Sequence, residues 1–394
     1  MKDDVYAEAI EMHAKHKGKI SIESKVPLET EKDLTLAYTP GVSQPCLEIY
    51  TNKTNVYKYT SKGNLVAVIS DGSAVLGLGD IGPYAAIPVM EGKAILLKRF
   101  ADIDAFPICI NTKDPQEIVE IVKKISPVFG GILLEDISAP RCFEIEEELK
   151  KELDIPVFHD DQHGTAVVVA AALINCLKII KKKFEEVKIV INGAGAAGIA
   201  ITKLLKSFNV GEIIVCDTQG TIYKGRKVNM SPYKEDIANT TNSEMIKGTL
   251  ADAMVNAHIF IGASKPNVVF ESMIKSMQEK PIILALSNPI PEIMPDEAKK
   301  AGAFIICTGR SDFPNQVNNV LVFPGIFRGA LNAKSRDINE EMKISAAYAL
   351  ASLIPEDELR VDYVIPKIFD SRVLKAVSSA VELATINAGS TKFN

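Results

Sequence analysis

Val187-Lys188-Ile189-Val190-Ile191 runs almost directly into Gly193-Ala194-Gly195-Ala196-Ala197-Gly198. An apolar-periodic stretch follows to about residue 208, then a second apolar run at 212–216 that stops on Asp217. Strand, glycine turn, helix and strand in that order specify a βαβ unit, and few sequence features restrict local topology so tightly. The glycines allow a tight turn and a close approach of backbone to a ligand. The helix that opens there offers unpaired N–H donors and a partial positive charge, which is how a pyrophosphate is held. Asp217 lies 19 residues beyond Gly198, where a carboxylate accepts hydrogen bonds from the adenosine ribose of a dinucleotide. It would repel a 2′-phosphate and so favour NAD over NADP, while Lys224 and Arg226 blur that preference. A purely structural glycine turn is the alternative reading.

The same rhythm extends in both directions. Upstream, strands are expected at 64–70, 105–110, 131–134 and 155–158, with helices from Asp114-Pro115 to about 125 and from Pro140 to about 153. Downstream, strands at 258–261, 282–286 and 304–307 each end in small or polar residues, and 325–390 reads as helical. Such alternation gives parallel α/β structure with ligands at the carboxyl edges of the strands. Two of those edges are acidic: Glu135-Asp136 after 131–134, and Asp160-Asp161 between the strand at 155–158 and a long apolar helix at 165–180. Two unit charges about 4 Å apart repel by roughly 4 kcal/mol at an effective dielectric near 20. A solvated turn relieves that repulsion, and so does a divalent cation. Adjacent strand residues point to opposite faces, so Glu135 and Asp136 can share one ion only if the chain turns there.

Composition bounds the partners. A formal net charge of -5 with 47% hydrophobic and 24% charged residues describes an ordinary soluble globular chain of 394 residues, long enough for two domains. It argues against nucleic acid and anionic membrane as partners. The acidic start Met1-Lys2-Asp3-Asp4 is unlike a signal segment, and the apolar runs fall short of a membrane span, which points to the cytoplasm. The six cysteines are scattered without a CxxC pair, as small buried thiols. His13 and His16 share a helix face that reads as solvated. Tyr38, before the Pro40-Gly41 turn, is a packing residue or a phenol at a cleft edge. Leu76-Gly77-Leu78-Gly79-Asp80-Ile81-Gly82-Pro83 is a plain loop or backbone that must approach something closely. Lys93 sits among apolar neighbours in a helix expected at 88–99, where its amine either snorkels outward or has its pKa lowered and acts as a base. Asn288, Asn318 and Asn319 offer donors and acceptors near strand ends.

Taken together, Tyr38-Thr39-Pro40-Gly41-Val42, Asp71-Gly72, Gly77-Leu78-Gly79-Asp80, Gly92-Lys93, Glu135-Asp136, Asp160-Asp161 with Gly164-Thr165, Gly193 to Gly198, Ser287-Asn288-Pro289 and Asn318-Asn319 resemble a malic enzyme of the short prokaryotic type. The resemblance implies oxidative decarboxylation of L-malate to pyruvate and carbon dioxide with NAD, or alternatively NADP, and Mg²⁺ or Mn²⁺. It implies Glu135, Asp136 and Asp161 as metal ligands, Lys93 as base, Tyr38 as acid and Asp160 as support for the lysine. Asn288 and Asn318 would bind substrate, and Gly193, Gly195, Ala196, Ala197, Gly198, Asp217 and Asn288 the cofactor. An arginine that binds the substrate carboxylate in longer members is Ala74 here, with Arg99, the glycine loop or a partner subunit as the substitute. The expected fold is an N-terminal α/β substrate and metal domain (1–155), a doubly wound Rossmann-like dinucleotide-binding domain (156–319) and a helical segment (320–394) packing back on the first domain, in a homodimer or larger homo-oligomer. Histidines 159 and 163 are expected to support the acidic pair rather than bind metal. The rival readings are a malolactic-type enzyme and a nucleotide-sensing protein without turnover.

Overall fold

The strands are short, β-branched and apolar on both faces, which is the pattern of parallel sheets covered by helices on each side. The computed structural model describes residues 2–75 and 77–392, with side chains from Val5 onward. Met1 and the side chains of the acidic start, together with Leu76 of the glycine-rich run, lie outside the described residues. Two sheets form. Strands β1 (Leu65–Ser70), β2 (Asp104–Cys109), β3 (Gly131–Leu134) and β4 (Val157–His159) make a parallel sheet in the order β2-β1-β3-β4. Strands β5 (Lys188–Asn192), β6 (Glu212–Asp217), β7 (Gly220–Thr221), β8 (Ile259–Gly262), β9 (Ile282–Ala285) and β10 (Ile305–Thr308) make the second, ordered β10-β9-β8-β5-β6-β7. All its pairings are parallel except the short β6–β7 hairpin.

The helix Thr165–Ile180 joins the two sheets, and Ala166 to Leu177 along it are buried. With the turn before it, this segment is long and apolar enough by composition to cross a membrane, but its side chains are consumed by the core. One continuous core runs from Val66, Val68 and Ile132 through this helix to Ile189 and Ile191 on the near face of the second sheet. The far face, with Val190, Ile214, Phe260 and Ile283, has a core of its own. Each fully buried Val, Ile or Phe contributes about 1.5–3 kcal/mol. The doubly wound alternation of odd and even strand positions follows directly.

The C-terminal helices Phe323–Asn332, Glu340–Ala351 and Arg372–Asn387 return to the first sheet. There Phe327 packs edge-on against Phe158, with ring centroids 5.9 Å apart, and Arg328 Nη1 donates to Asn64 Oδ1 at 2.8 Å. The first 60 residues differ from the rest. The helices Glu31–Ala37 and Ser43–Thr51 bury no residue, and Val5, Ile10, Leu34, Leu36, Leu47 and Tyr50 are exposed.

Candidate active site

The carboxyl edge of the first sheet is where the two acidic strand ends meet. β3 ends at Leu134; Glu135 continues it, its N–H donating to Ile69 O at 2.9 Å, and Asp136 then adopts a left-handed φ of 53°. That turn is what lets consecutive carboxylates face one point. Beyond β4, residues Asp160–Gly164 form a π-helical turn before the long helix, a widening common at functional sites. It splits the second pair. The Asp136 N–H donates to Asp161 Oδ2 at 2.8 Å, while Asp160 turns toward Lys93. Gly164 is required here, because a Cβ would stand 1.9 Å from Asp160 Oδ1.

Glu135, Asp136 and Asp161 bring one oxygen each to within 4.8 Å of one another. Glu135 Oε2, Asp136 Oδ2 and Asp160 Oδ1 are buried without a hydrogen-bond partner. Orphaned carboxylate oxygens converging in this way fit a hard divalent cation, which is satisfied by oxygen ligands. Burial drives the Glu135 and Asp160 carboxyls above their ordinary range and the Asp136 carboxyl, next to Asp161, up to about 8. The Asp136 carboxyl therefore holds a proton near neutral pH that a cation would displace.

Lys93 lies on the helix Gly82–Ala101, which begins earlier than its apolar pattern suggested. Its ammonium sits 2.5 Å from Asp160 Oδ2, 3.0 Å from Glu135 Oε1 and 4.9 Å from the centre of the Phe323 ring. Burial alone would lower its pKa, but Asp160 and Glu135 outweigh burial and hold it above the usual lysine range. The expectation of a lowered pKa is thus corrected: its sequence neighbours are apolar, but its spatial neighbours are carboxylates from β3 and β4. Asn319 Nδ2 donates to the same Asp160 oxygen at 2.6 Å. Asn318 instead caps the following turn, its Oδ1 accepting from Val320 N at 3.0 Å. Asn288 is half-buried at the end of β9. Tyr38 stands 67% exposed on the N-terminal arm, and Arg99 is exposed on its helix; neither is brought into the acidic cluster by a described contact.

Behind the cluster, His163 Nε2 lies 2.8 Å from Glu146 Oε1, which also receives Lys150, and Gln162 Nε2 donates to Glu146 Oε2 at 3.1 Å. This buried carboxylate, missed in the sequence because it sits in an ordinary acidic helix, anchors the π-helical turn. Burial pushes the His163 imidazole down to about 4, so it is neutral. His159 is fully buried, with Nδ1 3.9 Å from Asp161 Oδ2.

In the second sheet, β5 delivers Gly193 to Gly198 and the helix Ala196–Lys206 begins inside the motif. A Cβ on Gly198 would lie 1.8 Å from Gly193 O, so only glycine closes this turn. Asp217 is the last residue of β6. Its Oδ2 accepts from Arg226 Nη2 at 2.5 Å, Lys234 Nζ at 2.7 Å and Asn229 Nδ2 at 3.0 Å. Burial would raise the Asp217 carboxyl, but these partners, Arg226 foremost, hold it below the usual range. Lys224 is exposed, and Lys234, which sequence proximity did not suggest, takes the place expected for it. Another buried carboxylate, Glu292, accepts from Ser264 N at 2.9 Å and Ser287 N at 3.0 Å, pinning the ends of β8 and β9.

Two family models match the chain, described as malic enzyme, N-terminal domain, over residues 17–150, and malic enzyme, NAD binding domain, over residues 162–388. A bifunctional malic/malolactic enzyme of Bacillus subtilis is 56% identical across 97% of this chain and 93% of its own length. An NADP-dependent malic enzyme of Haemophilus influenzae is 51% identical across 94% of this chain but only 51% of its own. The crystal structure of an NAD-dependent malic enzyme from Thermotoga maritima superposes with a TM-score of 0.92 at 49% identity, covering 95% of this chain and 98% of that one.

Proposed function

From the premise that this chain belongs to the malic enzyme family, we propose how its residues share the oxidative decarboxylation of malate. The reaction yields pyruvate and carbon dioxide and reduces NAD(P); the chain is an oxidoreductase with an NAD-binding domain. The observation that carries the site assignment is the convergence of Glu135, Asp136 and Asp161 beside a lysine that is itself held by Asp160.

Glu135, Asp136 and Asp161 would hold Mg²⁺ or Mn²⁺. When bound, such an ion supplies Lewis acidity at the substrate's C2 oxygen, drawing charge as the β-carboxyl group leaves. Lys93 Nζ is the group placed to exchange a proton with the C2 hydroxyl, and Asp160, 2.5 Å from it, stabilises its ammonium form. Asn319 fixes Asp160, and the Phe323 ring covers the lysine and keeps water away. Asn288 and Asn318, at the crevice edge of the second sheet, orient malate, and Asn288 also faces the cofactor. Gly193, Gly195, Ala196, Ala197 and Gly198 seat the pyrophosphate and Asp217 the ribose. Tyr38 is the acid that protonates C3 of the enol. It stands on an arm whose helices have no core of their own, and a homodimer is the assembly that covers the arm's exposed apolar side chains. The working units are a substrate and metal domain, expected at 1–155 but extended through β4 by its pairing with β3, a dinucleotide domain that follows to 319 and a helical segment (320–394), in the cytoplasm.

The test is NADH or NADPH absorbance with L-malate and Mn²⁺, with and without EDTA, alongside product analysis. Pyruvate equal to the NADH formed, and lost with EDTA, is the expected result. The Bacillus relative's bifunctional name favours a second reading, a malolactic activity. Lactate accumulating without net NADH would show that activity, and no turnover with either cofactor would overturn both readings.

A further inference from the structure

Malate is a dianion, yet the cluster that faces it carries four carboxylates, Glu135, Asp136, Asp160 and Asp161, against the single ammonium of Lys93. A divalent ion leaves that balance still negative, so a carboxylate of the substrate needs another cation. Arg226 is committed to Asp217 and Arg328 to Asn64, and Arg336, Arg360 and Arg372, paired with surface aspartates, have no described contact to the cluster or to the segment around Asn288. Arg99 is exposed. Arg141 and Arg310 remain.

Arg310 follows β10, on the loop that runs to Asn319 and so to Asp160. Its Nη1 donates to Pro289 O at 2.9 Å, the carbonyl next to Asn288. Asn288 Nδ2 lies 2.4 Å from where a Gly309 Cβ would stand. From the other side, the Cβ position of Gly77 is 3.0 Å from Pro289 Cδ, and that glycine-rich loop is tied to the cluster by Ala74 N donating to Asp136 O at 2.9 Å. Residues 288–289 therefore lie between Arg310, which is bonded to Pro289, and the glycine loop, whose first part is bonded to Asp136.

The free edge of this guanidinium grips Asp312, Nε to Oδ1 at 2.8 Å and Nη2 to Oδ2 at 2.5 Å, and Asp312 is 56% exposed. A bidentate, water-exposed carboxylate can be exchanged for another carboxylate at little cost. Arg141 differs, because its partner Asp71 is fully buried and would lose its counter-ion.

We propose that Arg310 binds a carboxylate of malate, releasing Asp312, and so selects for the dicarboxylic substrate. The inference rests on the reaction proposed above. For the Arg310→Lys protein, the KM for malate should rise about 10- to 100-fold, while the KM for NAD and the Mn²⁺ midpoint stay within about twofold; the last two values also report that the variant is folded. Arg99→Ala serves as the control. A malate KM within about threefold of wild type, an equal rise in the NAD KM, or a rise confined to Arg141→Lys would overturn the assignment. Wild-type protein that fails to oxidise malate would overturn the reaction as well, which separates the two failures.

Discussion

Cation binding at the acidic edge should be coupled to proton release. The Asp136 carboxyl, ordinarily at 3.8, is raised to about 8, first by burial and then by Asp161. At neutral pH the folded chain thus holds a proton that the unfolded chain has lost. A folded-state pKa above the unfolded one gives a contribution fully present below pH of about 4 and lost as pH climbs through about 8. A shift of roughly four units at about 1.36 kcal/mol each puts the ceiling near 6 kcal/mol. Glu135 and Asp160 move in the same direction. Carboxylates held low by surface partners, such as Asp104 and Asp370, titrate below this window and do not obscure it. Mn²⁺ must displace the bound protons. Titration calorimetry in buffers of different ionisation enthalpy should show about one proton or more released per ion near neutrality. Apparent affinity should rise at least about tenfold per pH unit below about pH 8. Without metal, the melting temperature should fall between about pH 5 and 8, and Mn²⁺ should flatten that slope. PH-independent affinity without proton release, or metal-free stability that rises across the window, would refute the reasoning.

Two further outcomes are expected. Lys93→Ala should lower malate oxidation by at least about 10²-fold while NADH binding, followed by fluorescence, is retained; near-normal turnover would remove Lys93 as the proton-exchanging group. Because one oxygen of Asp217 already takes three donors, two of them cationic, the carboxylate should exclude a 2′-phosphate only weakly. Lys234→Met should lower the NADP-to-NAD ratio of kcat/KM about tenfold, measured by initial rates with each cofactor, and an unchanged ratio would show that Lys234 serves Asp217 alone.

Much of this architecture was legible because it is written locally. Period and turn chemistry placed every strand of both sheets except β7, a two-residue hairpin partner too short to have a pattern, and placed the helices Pro115–Ile125 and Thr165–Ile180 at their observed limits. Glu135-Asp136 and Asp160-Asp161 stood out because adjacent charges at apolar strand ends are costly. What the sequence withheld depends on segments distant along the chain. Asn319 reaches Asp160 across 159 residues, and nothing in Asn318-Asn319 says which of the two will cap a turn and which will enter the cluster. The environment of Lys93 was misjudged for the same reason. Its helix neighbours are apolar, whereas Glu135 and Asp160 arrive from other strands. The π-helical turn has no local signature either; it is recognisable from Gly164, the residue that makes room for Asp160, only once both are in place.

The chain passes from the first sheet toward the second at residues 160–164 and comes back through 309–323, and Asp160, itself in the first passage, is held by Lys93 of the helix Gly82–Ala101 and by Asn319 of the return. The acidic edge is therefore also the mechanical joint of the molecule. A pull on either passage would therefore reach Lys93 through Asp160, tying the placement of the ammonium to the path of the chain between the sheets.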